Sequence, residues 1–200
     1  MGVLVGKPAP DFTCSAVLGN GEIKGDFKLS EAIKDKYGLL FFYPLDFTFV
    51  CPSELIALDN RVARFRELGV EVMSVSIDSQ WTHNAWRNTS VDQGGIGPVA
   101  YTMLADINHD ICRAYDVESA GGVAFRGAFI IDKKGVVRSQ LINDLPLGRN
   151  VDELIRLVEA LQFHEEHGEV CPAGWKKGDQ GMQANPEGVA SYLAQNAQKL

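Results

Sequence analysis

The residues of this sequence best equipped for chemistry are its four cysteines, Cys14, Cys51, Cys112 and Cys171. They stand 37, 61 and 59 residues apart, so no pair has the close spacing of a zinc knuckle or of a redox CxxC motif. Cys51 is set apart by its context. It closes a loop and precedes Pro52, which suits the start of a helix because the N–H that proline lacks would be unpaired there anyway. A thiol at a helix start meets unpaired N–H groups and the positive end of the helix dipole, and cysteines so placed have pKa values of roughly 3.5–7.5. The thiolate is the nucleophilic form. The expected reaction is attack on a peroxide O–O bond, releasing water or an alcohol and leaving a sulfenic acid on Cys51.

The stretch Cys51-Pro52-Ser53-Glu54 lacks the second cysteine of a thioredoxin-type motif, so a resolving thiol must come from far away in sequence. Cys171 is the best-placed candidate, in Val170-Cys171-Pro172-Ala173-Gly174-Trp175. Peroxide cleavage also needs hydrogen-bond donors and a cation facing the developing charge. Thr48 offers a hydroxyl, and Arg126 a permanent cation with several N–H donors. Cys14 and Cys112, in strand-like and apolar surroundings, read as packing residues. His164 and His167 flank Glu165 and Glu166 and read as a solvated helix end rather than metal ligands. His83 and His109 show no partner, and Trp81 and Trp86 read as core or interface aromatics.

The elements that must position these residues follow from hydrophobic period and turn signals. Residues 12–17, the turn Gly19-Asn20-Gly21 and residues 23–29 form a hairpin. Leu39-Leu40-Phe41-Phe42-Tyr43 is a continuous apolar run, as in a central strand covered on both faces. A helical stripe of Leu55, Leu58, Val62, Phe65 and Leu68 ends at Gly69, and a strand over 70–77 completes a βαβ unit. A helix over 81–88, strands over 102–105, 127–131 and 136–142, and a closing helix over 151–163 follow. The expected division is a domain over 1–163 and a mobile C-terminal tail over 164–200, where glycine, proline and charge replace apolar residues.

Composition narrows the functional classes. With 200 residues the chain can bury a core without disulfide staples. Nineteen Lys and Arg against 26 Asp and Glu give a net charge of −7, which disfavours nucleic-acid backbones and anionic membrane surfaces. No apolar stretch approaches membrane-spanning length, and Met1 to Pro8 carries no secretory pattern, so the expected location is cytoplasmic, with reduced thiols. A cysteine hydrolase would need a histidine base in a recognisable motif. A general disulfide oxidoreductase would need a cysteine where Glu54 stands. A non-enzymatic alternative is a ring-forming holdase or peroxide sensor.

The loop Pro44-Leu45-Asp46-Phe47-Thr48-Phe49-Val50-Cys51-Pro52 resembles the active-site loop of the peroxiredoxins, and Val170-Cys171-Pro172 resembles the resolving site of their typical two-cysteine branch, which includes the alkyl hydroperoxide reductase C component. The resemblance runs from Pro8-Ala9-Pro10-Asp11-Phe12 through Phe125-Arg126-Gly127 and Asp144-Leu145-Pro146-Leu147-Gly148-Arg149 to the tail. It implies an α/β, thioredoxin-like fold, with a central mixed sheet flanked by helices, an N-terminal hairpin extension and a C-terminal tail. It implies that Cys51 is peroxidatic, that Pro44 shields it, that Thr48 and Arg126 activate the peroxide, and that Glu54 orients the arginines, Arg149 among them. Cys171 would resolve Cys51 of the other subunit of a homodimer, commonly assembled into a decamer. No metal, haem, flavin or other cofactor is implied, and reducing equivalents would come from thioredoxin or a dedicated flavoprotein disulfide reductase. Gly94-Gly95-Ile96-Gly97 resembles the GGLG insert of members prone to overoxidation, whereas their Tyr-Phe tail pair is Tyr192-Leu193 here.

Overall fold

The computed structural model describes residues 2–200; Met1 lies outside it, as does the side chain of Lys199. Two compact units are present, Met1–Val151 and Asp152–Leu200. The expected boundary at 163/164 thus falls inside the second unit, in the closing helix.

In the first unit, β1 (Thr13–Val17) and β2 (Ile23–Lys28) form the N-terminal hairpin around a turn in which Gly21 takes φ +91°, open to glycine at little cost. The short α1 (Leu29–Ala32) leads to β3 (Tyr37–Phe42), every residue of which is buried. The apolar run has no solvent face because β3 lies within the sheet, parallel to β4 (Val70–Ser76) on one side and antiparallel to β6 (Arg126–Ile131) on the other. β5 (Thr102–Ala105) joins β4 to the hairpin through β1, and β7 (Val137–Asn143) closes the far edge. The resulting mixed sheet has the order β2-β1-β5-β4-β3-β6-β7 among the described residues. The hairpin is therefore an edge of the main sheet.

Two local expectations are corrected. The stripe from Leu55 to Leu68 is two helices, α2 (Cys51–Asp59) and α3 (Val62–Glu67), because Arg61 leaves helical geometry at φ −117°, ψ 0°. Leu55, Leu58, Val62 and Phe65 are nonetheless all buried, so the apolar period survives the break. A short helix α5 (Asp110–Ala114) was not anticipated. The buried Asp106 carboxylate accepts from the N–H groups of Ile111 and Cys112, at 3.0 and 2.7 Å, and so satisfies its first turn. Between β4 and β5 lies α4 (Gln80–Arg87), capped by the Ser79 hydroxyl. Trp86 is buried on it, whereas Trp81 is 65 % exposed.

α6 (Val151–His167) runs one turn beyond the expected helix and ends at Gly168, at φ +69°. The segment beyond it is more structured than its composition suggests. Val170 and Met182 exchange two backbone hydrogen bonds, and the buried Trp175 stacks on Phe163 with centroids 4.8 Å apart. α7 (Pro186–Asn196) begins with the Asn185 side chain accepting from the Gly188 N–H and with Pro186 in its first turn. Trp175 and Met182 supply the anchoring that the charged sequence around them hides. No helix among the described residues is long and apolar enough to cross a membrane.

Candidate active site

Three elements of the first unit converge on one sulfur. The central strand β3 delivers the chain to the loop 44–50, and α2 begins at Cys51 with Pro52 behind it. Glu54 follows one turn later on the same helix. Arg126 opens β6, the neighbour of β3, and Arg149 follows β7 just before α6.

Cys51 is 1 % exposed, but its sequence neighbours Phe49 and Ser53 are exposed, so solvent begins beside it. Arg126 Nη1 lies 3.5 Å from Cys51 Sγ and donates to Glu54 Oε2 at 2.7 Å, while its Nε donates to the Leu145 carbonyl at 2.6 Å. One guanidinium thus has its position set by a carboxylate and a carbonyl and its free charge turned toward the sulfur. Arg149 donates to Glu54 from its backbone N–H at 2.7 Å, from Nε at 2.9 Å and from Nη2 at 3.0 Å. Its Nη1 donates to the Gly127 carbonyl at 2.5 Å, and the guanidinium lies over the Phe41 ring, 3.3 Å from the centroid. The side chains of Glu54, Arg126 and Arg149 are 2, 4 and 0 % exposed.

Two buried guanidinium groups and one carboxylate leave one excess positive charge, and Cys51 Sγ lies within 3.5 Å of the Arg126 guanidinium. Burial pushes the Glu54 carboxyl up, but the hydrogen bonds and charge of Arg149, with Arg126, outweigh it and hold the group below the usual carboxylate range. Such a group stabilises the fold above its unfolded value near 4.5, and the contribution is lost as pH falls through the lower folded value. The expected result is a melting temperature that drops steeply below about pH 4, with a shallower drop in Glu54→Gln, measured by calorimetry across pH 3–7.

Of the remaining expected residues, Pro44 is buried and Thr48 half-buried in the same loop, and the Thr48 hydroxyl donates to the Leu45 carbonyl at 2.8 Å. Its oxygen keeps its lone pairs for an outside donor. Cys171 lies in the second unit, half-buried, with Sγ 3.4 Å from the Ala160 carbonyl, and burial raises its pKa against the pull of Arg156. Burial also raises Cys14, to about 12, and Cys112, each with Asp106 nearby, as expected of packing thiols. Among the described residues no cluster of three or more His, Cys, Asp or Glu could hold a metal ion.

The expectation that His83 and His109 lack partners is overturned. His109 Nδ1 is 2.5 Å from Glu118, and His83 is wholly buried against Asp46. Both contacts join residues that only the tertiary fold brings together.

Comparison with known proteins gives a consistent picture. The model of the AhpC/TSA family matches residues 5–140, and that of the C-terminal domain of 1-Cys peroxiredoxin matches 160–195. Alkyl hydroperoxide reductase C of Helicobacter pylori is 57 % identical over 99 % of this chain and all of its own length. Peroxiredoxin-2 of Macaca fascicularis is 52 % identical over 96 % of both chains. The solved structure of reduced Plasmodium vivax 2-Cys peroxiredoxin superposes with a TM-score of 0.93 at 47 % identity, covering 96 % of this chain and 100 % of that one.

Proposed function

Because this chain belongs to the AhpC/TSA family and is a thiol-dependent peroxidase with the thioredoxin-like fold of the peroxiredoxins, we propose that Cys51 is its peroxidatic thiol and Cys171 its resolving thiol. The observation that carries this reading is the Arg126 guanidinium 3.5 Å from Cys51 Sγ, held there by Glu54.

The Cys51 thiolate attacks one peroxide oxygen and the O–O bond breaks. Sulfur loses two electrons and becomes a sulfenic acid, while the leaving oxygen takes the electron pair and a proton and departs as water or alcohol. Arg126 faces the charge that develops on the oxygens. Thr48, its own proton committed to Leu45, accepts from the peroxide O–H. Pro44 keeps bulk water from the sulfur, and Glu54 with Arg149 fixes the orientation of Arg126. Cys171 of a second subunit then condenses with the sulfenic acid, releasing water and forming a disulfide. Thioredoxin or a dedicated flavoprotein disulfide reductase returns both thiols. The working unit is a homodimer that assembles into a decamer, a reading supported by Phe49 and Trp81, which are 94 and 65 % exposed in the single chain. A reducing, cytoplasmic compartment suits a cycle that starts from free thiols.

Treatment with one equivalent of hydrogen peroxide is expected to convert the protein to a disulfide-linked dimer on a non-reducing gel, doubly bridged at full oxidation. Cys171→Ser is expected to lose the doubly bridged species yet to retain peroxide turnover when a strong small-molecule thiol is the reductant. Loss of that turnover would show that Cys171 does more than resolve.

A further inference from the structure

Asp46 lies in the loop 44–50, two residues before Thr48, and contacts neither Cys51 nor its arginines in any hydrogen bond described above. Its carboxylate is nonetheless anchored from several elements. The Tyr43 hydroxyl, at the end of β3, donates to Oδ1 at 2.7 Å, and His83 Nδ1, on α4, lies 2.8 Å from Oδ2. The side chains of Asp46 and His83 are both 0 % exposed. His83 Nε2 is 3.1 Å from the Leu104 carbonyl in β5. A carbonyl can only accept, so Nε2 carries a hydrogen. A buried pair of this kind seldom adds stability over well-packed apolar side chains, and fixing one geometry is its better-supported use.

Next to this pair lies the peptide plane between Leu45 and Asp46. The N–H of that plane donates to Asp78 Oδ2 at 2.9 Å, and Asp78 in turn accepts from the Ser76 hydroxyl at 2.7 Å. The C=O of the same plane is the Leu45 carbonyl that receives the Thr48 hydroxyl at 2.8 Å. The residue between, Phe47, has φ +54°, the left-handed region that a bulky side chain enters only when its surroundings impose it. Its ring is fixed against the buried Trp86, with centroids 5.7 Å apart.

We propose that Asp46 and His83 are positioning residues: they lock the strained loop so that the Leu45 carbonyl aims the Thr48 hydroxyl oxygen at the bound peroxide. The inference rests on the proposed role of Thr48 and adds the device that sets its direction. Loss of the clamp therefore affects the step that uses Thr48 and spares reactions of Cys51 that do not.

The test compares two reactions of Cys51 in the reduced full-length protein: oxidation by hydrogen peroxide and alkylation by iodoacetamide, which has no O–H for Thr48 to receive. In His83→Asn the amide nitrogen can replace Nδ1 and keep the bond to Asp46; in His83→Gln it replaces Nε2 and the bond is lost. Peroxide oxidation is expected to slow by about tenfold or more in His83→Gln and to stay within about threefold in His83→Asn, with alkylation within about threefold in both. Tyr43→Phe removes a single oxygen and serves if the histidine variants do not fold; a selective loss of about fivefold or more is expected there. Equal losses in both reactions, or an unchanged peroxide rate in His83→Gln or, failing that, Tyr43→Phe, would overturn the proposal. Thr48→Val separates the two readings. A selective loss there with none in the clamp variants sinks the clamp alone, whereas no selective loss there sinks the Thr48 role and the clamp with it.

Discussion

Cys51→Ser should reduce peroxide consumption to the uncatalysed background under every reductant, and no disulfide-linked dimer should form however much peroxide is added. A serine hydroxyl is not ionised near neutral pH, and no histidine base is described beside Cys51 to activate it. Arg126 would meet a neutral oxygen that cannot expand its oxidation state as sulfur does. The substitution is nearly isosteric at a site 1 % exposed, so stability should change by only about 1–2 kcal/mol. Stopped-flow peroxide consumption and non-reducing gels check both halves. A persistent dimer ladder in Cys51→Ser would overturn the assignment of roles to the two thiols.

The second large effect is expected at Arg126. Arg126→Met keeps much of the buried volume but removes the cation in hydrogen-bond contact with Cys51 Sγ, the partner of Glu54 Oε2 and the donor to the Leu145 carbonyl. Removing a preorganised donor to developing charge costs roughly 10²–10³ in rate, so Cys51 oxidation should slow by about that factor. Arg126→Lys should recover only part of it, because an ammonium cannot reproduce the planar fork that reaches a carbonyl, a carboxylate and a sulfur together. The second-order rate of sulfenic acid formation is the measurement, and a rate within threefold of the parent in Arg126→Met would discard the role given to this residue.

Cys51, Thr48, Glu54, Arg126 and Arg149 were legible as candidates because each falls in a contiguous motif that resembles those of the peroxiredoxins. Composition and period alone would have left Arg126 and Arg149 as surface cations. Their burial arises from Glu54, 72 and 95 positions away, which no local pattern reveals. The apolar run of β3 was legible for the same reason that its burial is complete: a strand covered on both faces needs no alternation. The break between α2 and α3 was hidden because the apolar stripe passes through it unaltered. The helix at Asp110–Ala114 is too short to show a period, and its first turn depends on Asp106 upstream. Asp46 and His83 went unread as a pair because their partnership spans 37 positions and joins a loop to a helix.

Cys14 and Cys112, whose thiols burial holds well above neutrality, have a practical consequence for quantitative proteomics. In the folded state they should resist alkylating reagents at physiological pH and label fully only after denaturation. Each molecule therefore carries a built-in pair of reference sulfurs against which isotope-coded occupancy at the other two can be normalised.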